Sequence, residues 1–327
     1  MKQQDIPILQ YPWPYEVGPF SQLFYEEQNH WIDTDYQFMS EGTRNEYKKH
    51  GLVEAASYMF PAAMTKEQIR PIARFMVWLT LYNDYYEVCP THKLVGIRDY
   101  IIDIMMGASP KANDIGLIRQ VALTRQEFIP YVNDTWFQRW AKNFYNYTTY
   151  GIMEEASYKL KREFPSLSNL LLIREYSIFM YPYGDPVEPS INYILPDHIS
   201  EHPIIKRLKM LMCRIMAIQN DFASVEKESV IDTEVFNIIL VIKNQYKVSL
   251  EEAIAEAMHI HDSYVVEFVE LEKNLPDFGS HQKNMGRFVH NMALMISGLG
   301  EWYHKGNSTR YKNPGEFSKP EYGVSLL

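Results

Sequence analysis

Cysteine is scarce in this chain. Cys89 and Cys213 are the only two, so no disulfide framework holds the fold, and a reducing compartment is the expectation. Basic excess is missing as well. The formal net charge is −9, which argues against a nucleic-acid surface and means that an anionic substrate would need a local cluster of cations or metal ions. Long apolar runs are absent, so no membrane span is expected. The opening Met1-Lys2-Gln3-Gln4-Asp5-Ile6-Pro7 has no apolar signal region, and the expected location is the cytoplasm. There is no alternating strand pattern, no internal repeat and no low-complexity tract.

What is present is a rich supply of core material. Hydrophobic residues make up 46% of the 327 positions and aromatic residues 14%, with 24 Tyr and 16 Met. That is far from a disordered composition. Apolar residues recur at three- and four-residue intervals, which predicts helical blocks at roughly 20–40, 42–56, 66–89, 94–106, 112–127, 131–160, 166–181, 201–229, 232–246, 249–274 and 282–304. Ser249 with Glu252 forms a capping box and Thr65 with Gln68 resembles one. Pro130 and Pro203 suit first turns, whereas the Pro-rich stretch 182–203 reads as a loop or broken helix. Residues 1–20 carry Pro7, Tyr11, Pro12, Trp13, Pro14, Tyr15, Pro19 and Phe20. Such a segment cannot be a helix interior, and its aromatics need burial, so it reads as a strap over the core. The expectation is one all-α domain over 1–327.

Four stretches carry chemistry. Asn220, Ser224 and Glu228 are spaced four apart and share a helix face, with the outer two roughly 12 Å apart along the axis. All three present oxygen, which suits a hard divalent ion such as Mg²⁺. Lys227 could set a cation beside the same phosphate. The plain alternative is a solvated polar stripe, but the apolar run 208–219 before it favours burial, and buried polar groups need partners. Asp84 and Glu87 share a face at the end of another apolar helix. Acids are unfavourable at a helix C-terminus, so a second oxygen site competes with an ordinary acidic end. Arg174 stands within an apolar helix and wants an anion, either a structural acid such as Glu175 or a phosphate. Arg310 and Tyr311, after Trp302-Tyr303, offer two more phosphate donors or a basic tail patch. His259 and His261 lack a matching ligand set and read as structural.

Together these stretches resemble the class I terpene synthases (terpene cyclases) of the microbial type, over nearly the whole chain. Asn220, Asp221, Ser224, Lys227 and Glu228 match that family's second metal motif, N-D-x-x-S-x-x-K/R-E. Arg174 stands at the spacing of its diphosphate-sensing arginine, and Arg310-Tyr311 match its C-terminal R-Y pair. The Pro/Trp/Tyr-rich opening, with Trp31 following, is similar to its N-terminal strap, and 305–327 would be a C-terminal lid segment. Two positions depart. The first metal motif, usually D-D-x-x-D/E, reads Asn83-Asp84-Tyr85-Tyr86-Glu87, which leaves Asp84 as the favoured ligand. Ile178, after Ser177, stands where a glycine is common in the region that senses the leaving group.

The resemblance implies a helical bundle around a central apolar pocket, a linear isoprenyl diphosphate substrate and three Mg²⁺ ions. Asp84 would hold two ions, with Glu87 assisting or facing a basic partner, and Asn220, Ser224 and Glu228 would hold the third. Arg174, Lys227, Arg310 and Tyr311 would donate to phosphate oxygens. The allylic cation left behind needs walls that stabilise it without capturing it, as aromatic faces do. Trp78, Tyr82, Tyr85, Phe179, Trp302 and Tyr303 are candidates from their places beside the motifs. Diphosphate itself can serve as the final base, so no general base is assigned. Farnesyl and geranylgeranyl diphosphates both remain open, and a homodimer is expected by analogy. A chain-elongating prenyl synthase would carry two D-D-x-x-D motifs, and neither is present in full. A non-catalytic isoprenoid-binding scaffold would have Asn83 as its mark, against the survival of the other motif residues.

Overall fold

Helical periodicity becomes helices throughout a computed structural model, which describes residues 6–20, 22–86, 89–231, 234–306 and 308–311. In chain order the helices are α1 (Tyr25–Asp35), α2 (Glu41–Lys49), α3 (Leu52–Met59), α4 (Lys66–Tyr86), α5 (Thr91–Met105), α6 (Gly116–Phe128) and α7 (Asp134–Asn146). A π-helical turn, Tyr147–Ile152, leads into α8 (Met153–Lys161) and α9 (Leu167–Ser177). Three short helices follow, α10 (Met180–Gly184), α11 (Val187–Ser190) and α12 (Asp197–Ser200). The remainder is α13 (Pro203–Glu228), α14 (Ile238–Tyr246), α15 (Leu250–Lys273) and α16 (Gln282–Lys305). The described residues contain no strand. No described helix is long and apolar enough to cross a membrane.

Caps set several boundaries. Ser249 and Glu252 form the full reciprocal box that opens α15. At α4, Thr65 Oγ1 accepts from Gln68 N–H at 3.2 Å, but the Gln68 side chain accepts from Met64 N–H instead, at 2.8 Å. Pro203 occupies the first turn of α13 as expected. Pro130 does not open a helix, because Asn133 caps α7 by accepting from Trp136 N–H at 2.9 Å. The block expected over 42–56 is two helices, divided where Gly51 takes a left-handed φ of 60°. That expected from 232 begins at Ile238, behind the Asn237 cap. The stretch 182–203 holds α11 and α12 between its prolines rather than one broken helix.

Two central helices carry the predicted chemistry. α4 packs against α3 and α6, while α13 packs against α9, α15 and α16. α16 closes onto α3, and Gly298 makes this possible: a Cβ there would lie 1.9 Å from the Tyr58 carbonyl oxygen. Trp78, Trp136, Trp140 and Trp302 are all fully buried, the heaviest members of a continuous core. Residues 6–20 lie over α13, α15 and α16. Tyr11 OH accepts from Gln219 Nε2 at 2.8 Å and bonds His261 Nε2 at 3.0 Å. Trp13 Nε1 donates to Glu272 at 2.7 Å, and Ser297 Oγ donates to the Pro14 carbonyl at 2.8 Å.

Candidate active site

α4 reaches the cavity with its last turn. Asp84 is 1% exposed, and both its oxygens are occupied. Arg310 grips it with two parallel hydrogen bonds of 2.7 Å, and Tyr47 OH donates to it at 2.8 Å. This is the bidentate guanidinium–carboxylate geometry, among the strongest polar contacts a protein makes. Burial pulls the Arg310 pKa down, but the Asp84 charge outweighs that and holds the guanidinium well above its ordinary value. Beside it, Asn83 Oδ1 accepts from Tyr147 OH at 3.1 Å. Glu87 lies outside the described residues.

α13 faces the same space. Asn220 donates to Tyr303 OH at 3.0 Å and Tyr311 OH at 3.3 Å. Ser224 Oγ donates to the Asn220 carbonyl at 2.8 Å, and Glu228 Oε2 accepts from Asn237 Nδ2 at 3.0 Å. Lys227 Nζ stands 5.9 Å above the Tyr311 ring. Asp84, Asn220, Ser224, Lys227 and Glu228 all line one cavity of about 130 Å³.

Arg174 comes from α9 and lines it too. Its acids are Asp221, in a very short ion pair, and Glu155 at 3.7 Å. It also donates to Asn220 Oδ1 at 3.1 Å. Glu175 is not its partner; that carboxylate accepts from Arg214 at 2.9 Å and from Tyr181 OH at 2.8 Å. Neighbouring residues on a helix do not face the same way, which separates Arg174 from Glu175. Burial pushes the Asp221 carboxyl up to about 7 against the pull of Arg174. Arg174 Nε is buried and has no hydrogen-bond partner among the described residues, which leaves its N–H unsatisfied.

α9 breaks next to the cavity. Ile178 keeps a right-handed helical backbone, and the strained turn falls one residue later, on Phe179 with φ 71°. A left-handed Phe costs on the order of 1–3 kcal/mol and has to be held. Phe179 packs edge-on to Tyr147 at 4.3 Å. The π-helical turn that carries Tyr147 comes very close to the end of α9, since a Cβ on Gly151 would lie 2.7 Å from Ser177 Cα. Ser177, Ile178 and Phe179 all line the cavity.

Of the aromatic wall candidates, Phe179 and Tyr303 line the cavity, together with Tyr147, Phe236 and Tyr311. Trp78 and Tyr82 do not. They stack on one another at 5.0 Å and touch Phe179 and Tyr147 from behind, at 6.1 and 6.2 Å. Tyr85 turns to Phe38, and Trp302 meets Tyr311 edge-on at 6.0 Å. Sequence reasoning missed a buried charge cluster on the wall. Lys159 Nζ sits 3.3 Å from Glu155 and 3.5 Å from Glu234, and Ser177 Oγ donates to Glu155. The one signal available, the i, i+4 pairing of Glu155 with Lys159, looks the same on a solvated helix face.

The described wall carries four acids, Asp84, Glu155, Glu228 and Glu234, and four bases, Lys159, Arg174, Lys227 and Arg310. Their charges cancel. A polyanion can enter only with further cations or by taking these bases from their acids.

The family model described as "Terpene synthase family 2, C-terminal metal binding" matches residues 74–267. A germacrene A synthase of Nostoc punctiforme is 23% identical over 318 residues, 96% of this chain and 97% of its own length. A (+)-T-muurolol synthase of Roseiflexus castenholzii, described as farnesyl diphosphate cyclizing, is 23% identical over 301 residues, 90% of each chain. The solved structure of α-eudesmol synthase matches with a TM-score of 0.77 at 18% identity, over 90% of this chain and 98% of its own, a likeness of fold.

Proposed function

This chain belongs to the terpene synthase family, and on that premise we propose that it ionises a linear isoprenyl diphosphate, farnesyl diphosphate first among them, closes the allylic cation into a ring, and yields a cyclic hydrocarbon by loss of a proton to the released diphosphate. The enzyme is a lyase acting on diphosphates. The choice of the fifteen-carbon substrate is supported by the relative described as cyclizing farnesyl diphosphate.

One observation carries the reading: oxygen donors of α4 and α13 and the cations Arg174, Lys227 and Arg310 line a single cavity. The donor chemistry fits a divalent ion. Asn220, Ser224 and Glu228 offer an amide oxygen, a hydroxyl and a carboxylate from one face of α13, and Asp84 offers a carboxylate from α4. These residues would hold Mg²⁺, three ions by the family resemblance, and the ions would supply positive charge to offset that of the leaving group.

The chain's own residues do the rest. Arg174, with a buried N–H to spare, Lys227, Arg310 and the Tyr311 hydroxyl donate to diphosphate oxygens. Fixed donors in a dry site stabilise a departing anion far better than water-exposed ones. The C–O bond breaks and its electron pair leaves with the diphosphate. Phe179, Tyr147 and Tyr303 then present ring faces to the cation, worth up to about 2 kcal/mol each when desolvated. Asp84 loses Arg310 in this state, because the guanidinium turns to the anion. The cavity of about 130 Å³ is smaller than the roughly 300 Å³ of an ordinary small-molecule site. Opening it falls to the Arg310 side chain and to the flexible side chains of Met59, Met76 and Met180 in the wall.

The test is incubation with Mg²⁺ and geranyl, farnesyl or geranylgeranyl diphosphate, with products read by mass spectrometry. A cyclic C15 hydrocarbon with release of diphosphate is the expected result. Longer diphosphates would overturn the reading in favour of chain elongation, and binding without turnover would reduce the protein to a scaffold.

A further inference from the structure

Glu228 is the last residue of α13. Nothing in the helix holds a long carboxylate side chain there, and the macrodipole disfavours a negative charge at that end. What holds it comes from the next helix. Asn237 is fully buried, and its side chain is used at both ends. Oδ1 caps α14 by accepting from Ile239 N–H at 3.0 Å. Nδ2 donates to the Asp221 carbonyl at 2.8 Å and to Glu228 Oε2 at 3.0 Å. An amide nitrogen has two hydrogens, and these two contacts use both. The adjacent Ile238 N–H donates to Asp221 Oδ2 at 2.8 Å, so the start of α14 is fastened to α13 at the level of its polar stripe.

A cap alone does not explain an amide. Ser, Thr or Asp would cap α14 as well as Asn, but none of them in its ordinary state offers a pair of donors besides the capping oxygen. A ligating carboxylate commonly needs an outer hydrogen-bond donor to fix which oxygen it presents, and loss of that donor commonly weakens metal binding 10–100-fold. We propose that Asn237 is a positioning residue whose Nδ2–H aims the Glu228 carboxylate toward Ser224 and Asn220 and thereby sets the divalent-cation affinity of that donor set. The inference rests on the reading of α13 as a metal-holding helix.

The experiment titrates Mn²⁺ into the full chain in the presence of inorganic diphosphate, with bound metal read by electron paramagnetic resonance and stability by thermal unfolding. Asn237→Ser keeps a capping oxygen and replaces the two amide N–H donors with one O–H on a shorter side chain, which cannot serve both the Asp221 carbonyl and Glu228. It is expected to bind Mn²⁺ about tenfold more weakly, with the melting temperature within a few degrees of the parent. Turnover should show the same shift in the Mg²⁺ concentration needed, with kcat regained at saturating Mg²⁺. Asn237→Thr, another capping residue, is read in the same way should the serine variant not fold. Mn²⁺ affinity unchanged in these variants overturns the proposal and leaves Asn237 a cap. Glu228→Gln is the reference. If it weakens Mn²⁺ binding and Asn237→Ser does not, only the positioning role falls; if Glu228→Gln changes nothing, the metal reading of α13 falls and the positioning role with it.

Discussion

On the α4 rim a cation clamps the carboxylate with two hydrogen bonds; on the α13 rim a cation meets the Asn220 amide oxygen with one, and Ser224 and Glu228 are held by neutral groups. Asp84 is clamped by the guanidinium of Arg310 with Tyr47 behind it. Asn220 accepts from Arg174 through Oδ1 at 3.1 Å and donates to two phenols through Nδ2, while Ser224 and Glu228 are held by a backbone carbonyl and an amide. A cation arriving at Ser224 and Glu228 meets neutral groups, and at Asn220 it displaces a single guanidinium N–H from an uncharged amide. One arriving at α4 must replace a cation already in place. The α13 donors are therefore the more loosely held, whereas the Asp84 carboxylate is latched until something draws Arg310 away. The anion of the substrate is suited to do that.

The largest effects should come from deleting a carboxylate on either rim. Asp84→Ala and Glu228→Ala are each expected to lower turnover at least about 10²-fold, with helicity by circular dichroism retained. If Asp84→Ala stays fully active and Asn83→Ala is dead, the α4 rim has been assigned to the wrong residue.

Arg310→Gln separates the rims next. It leaves Asp84 buried and uncompensated, which costs about 3–5 kcal/mol by breaking the pair. Mg²⁺ with diphosphate should raise the melting temperature of this variant more than that of the parent. Equal increments would mean that Arg310 and the metal do not compete for Asp84.

A smaller effect concerns acid. Burial, with Arg310 adding to it, pushes the His50 pKa down to about 3, and Asp84 opposes the shift only in part. The folded protein thus keeps His50 neutral, while the unfolded chain takes up a proton below about 6.5. Stability is full above that pH and falls as pH drops toward 3, by roughly 2 kcal/mol at pH 5. His50→Gln should flatten this limb of the denaturation profile, and an unchanged limb would place the acid sensitivity elsewhere. Smallest of all, Asn83→Asp adds a second carboxylate to the α4 rim and should lower the Mg²⁺ requirement by a few fold.

The helices were legible because each buries one face, and the 3.6-residue period records that directly. The polar stripe of α13 and the spacing of Arg174 were legible because they are local or nearly so. Partners across the fold were not. Nothing in the order of residues says that Arg174 pairs with Asp221 rather than Glu175, or that Phe179 instead of Ile178 takes the left-handed turn. Trp78 and Tyr82 sit beside the α4 motif in sequence but one layer behind the cavity in space, because a helix that buries its whole circumference gives no sign of which face meets the pocket. The cluster of Glu155, Lys159 and Glu234 stayed hidden because an i, i+4 acid–base pair looks the same on a solvated helix face.

What matters most is whether both rims act on one leaving group. A crystal structure with Mg²⁺ and inorganic diphosphate tests it directly. The account predicts the anion between Asp84 and Glu228, metal-bridged to both, with the Arg310 guanidinium turned from Asp84 to a phosphate oxygen. Diphosphate bound to one rim alone, with the Arg310–Asp84 pair intact, would contradict it.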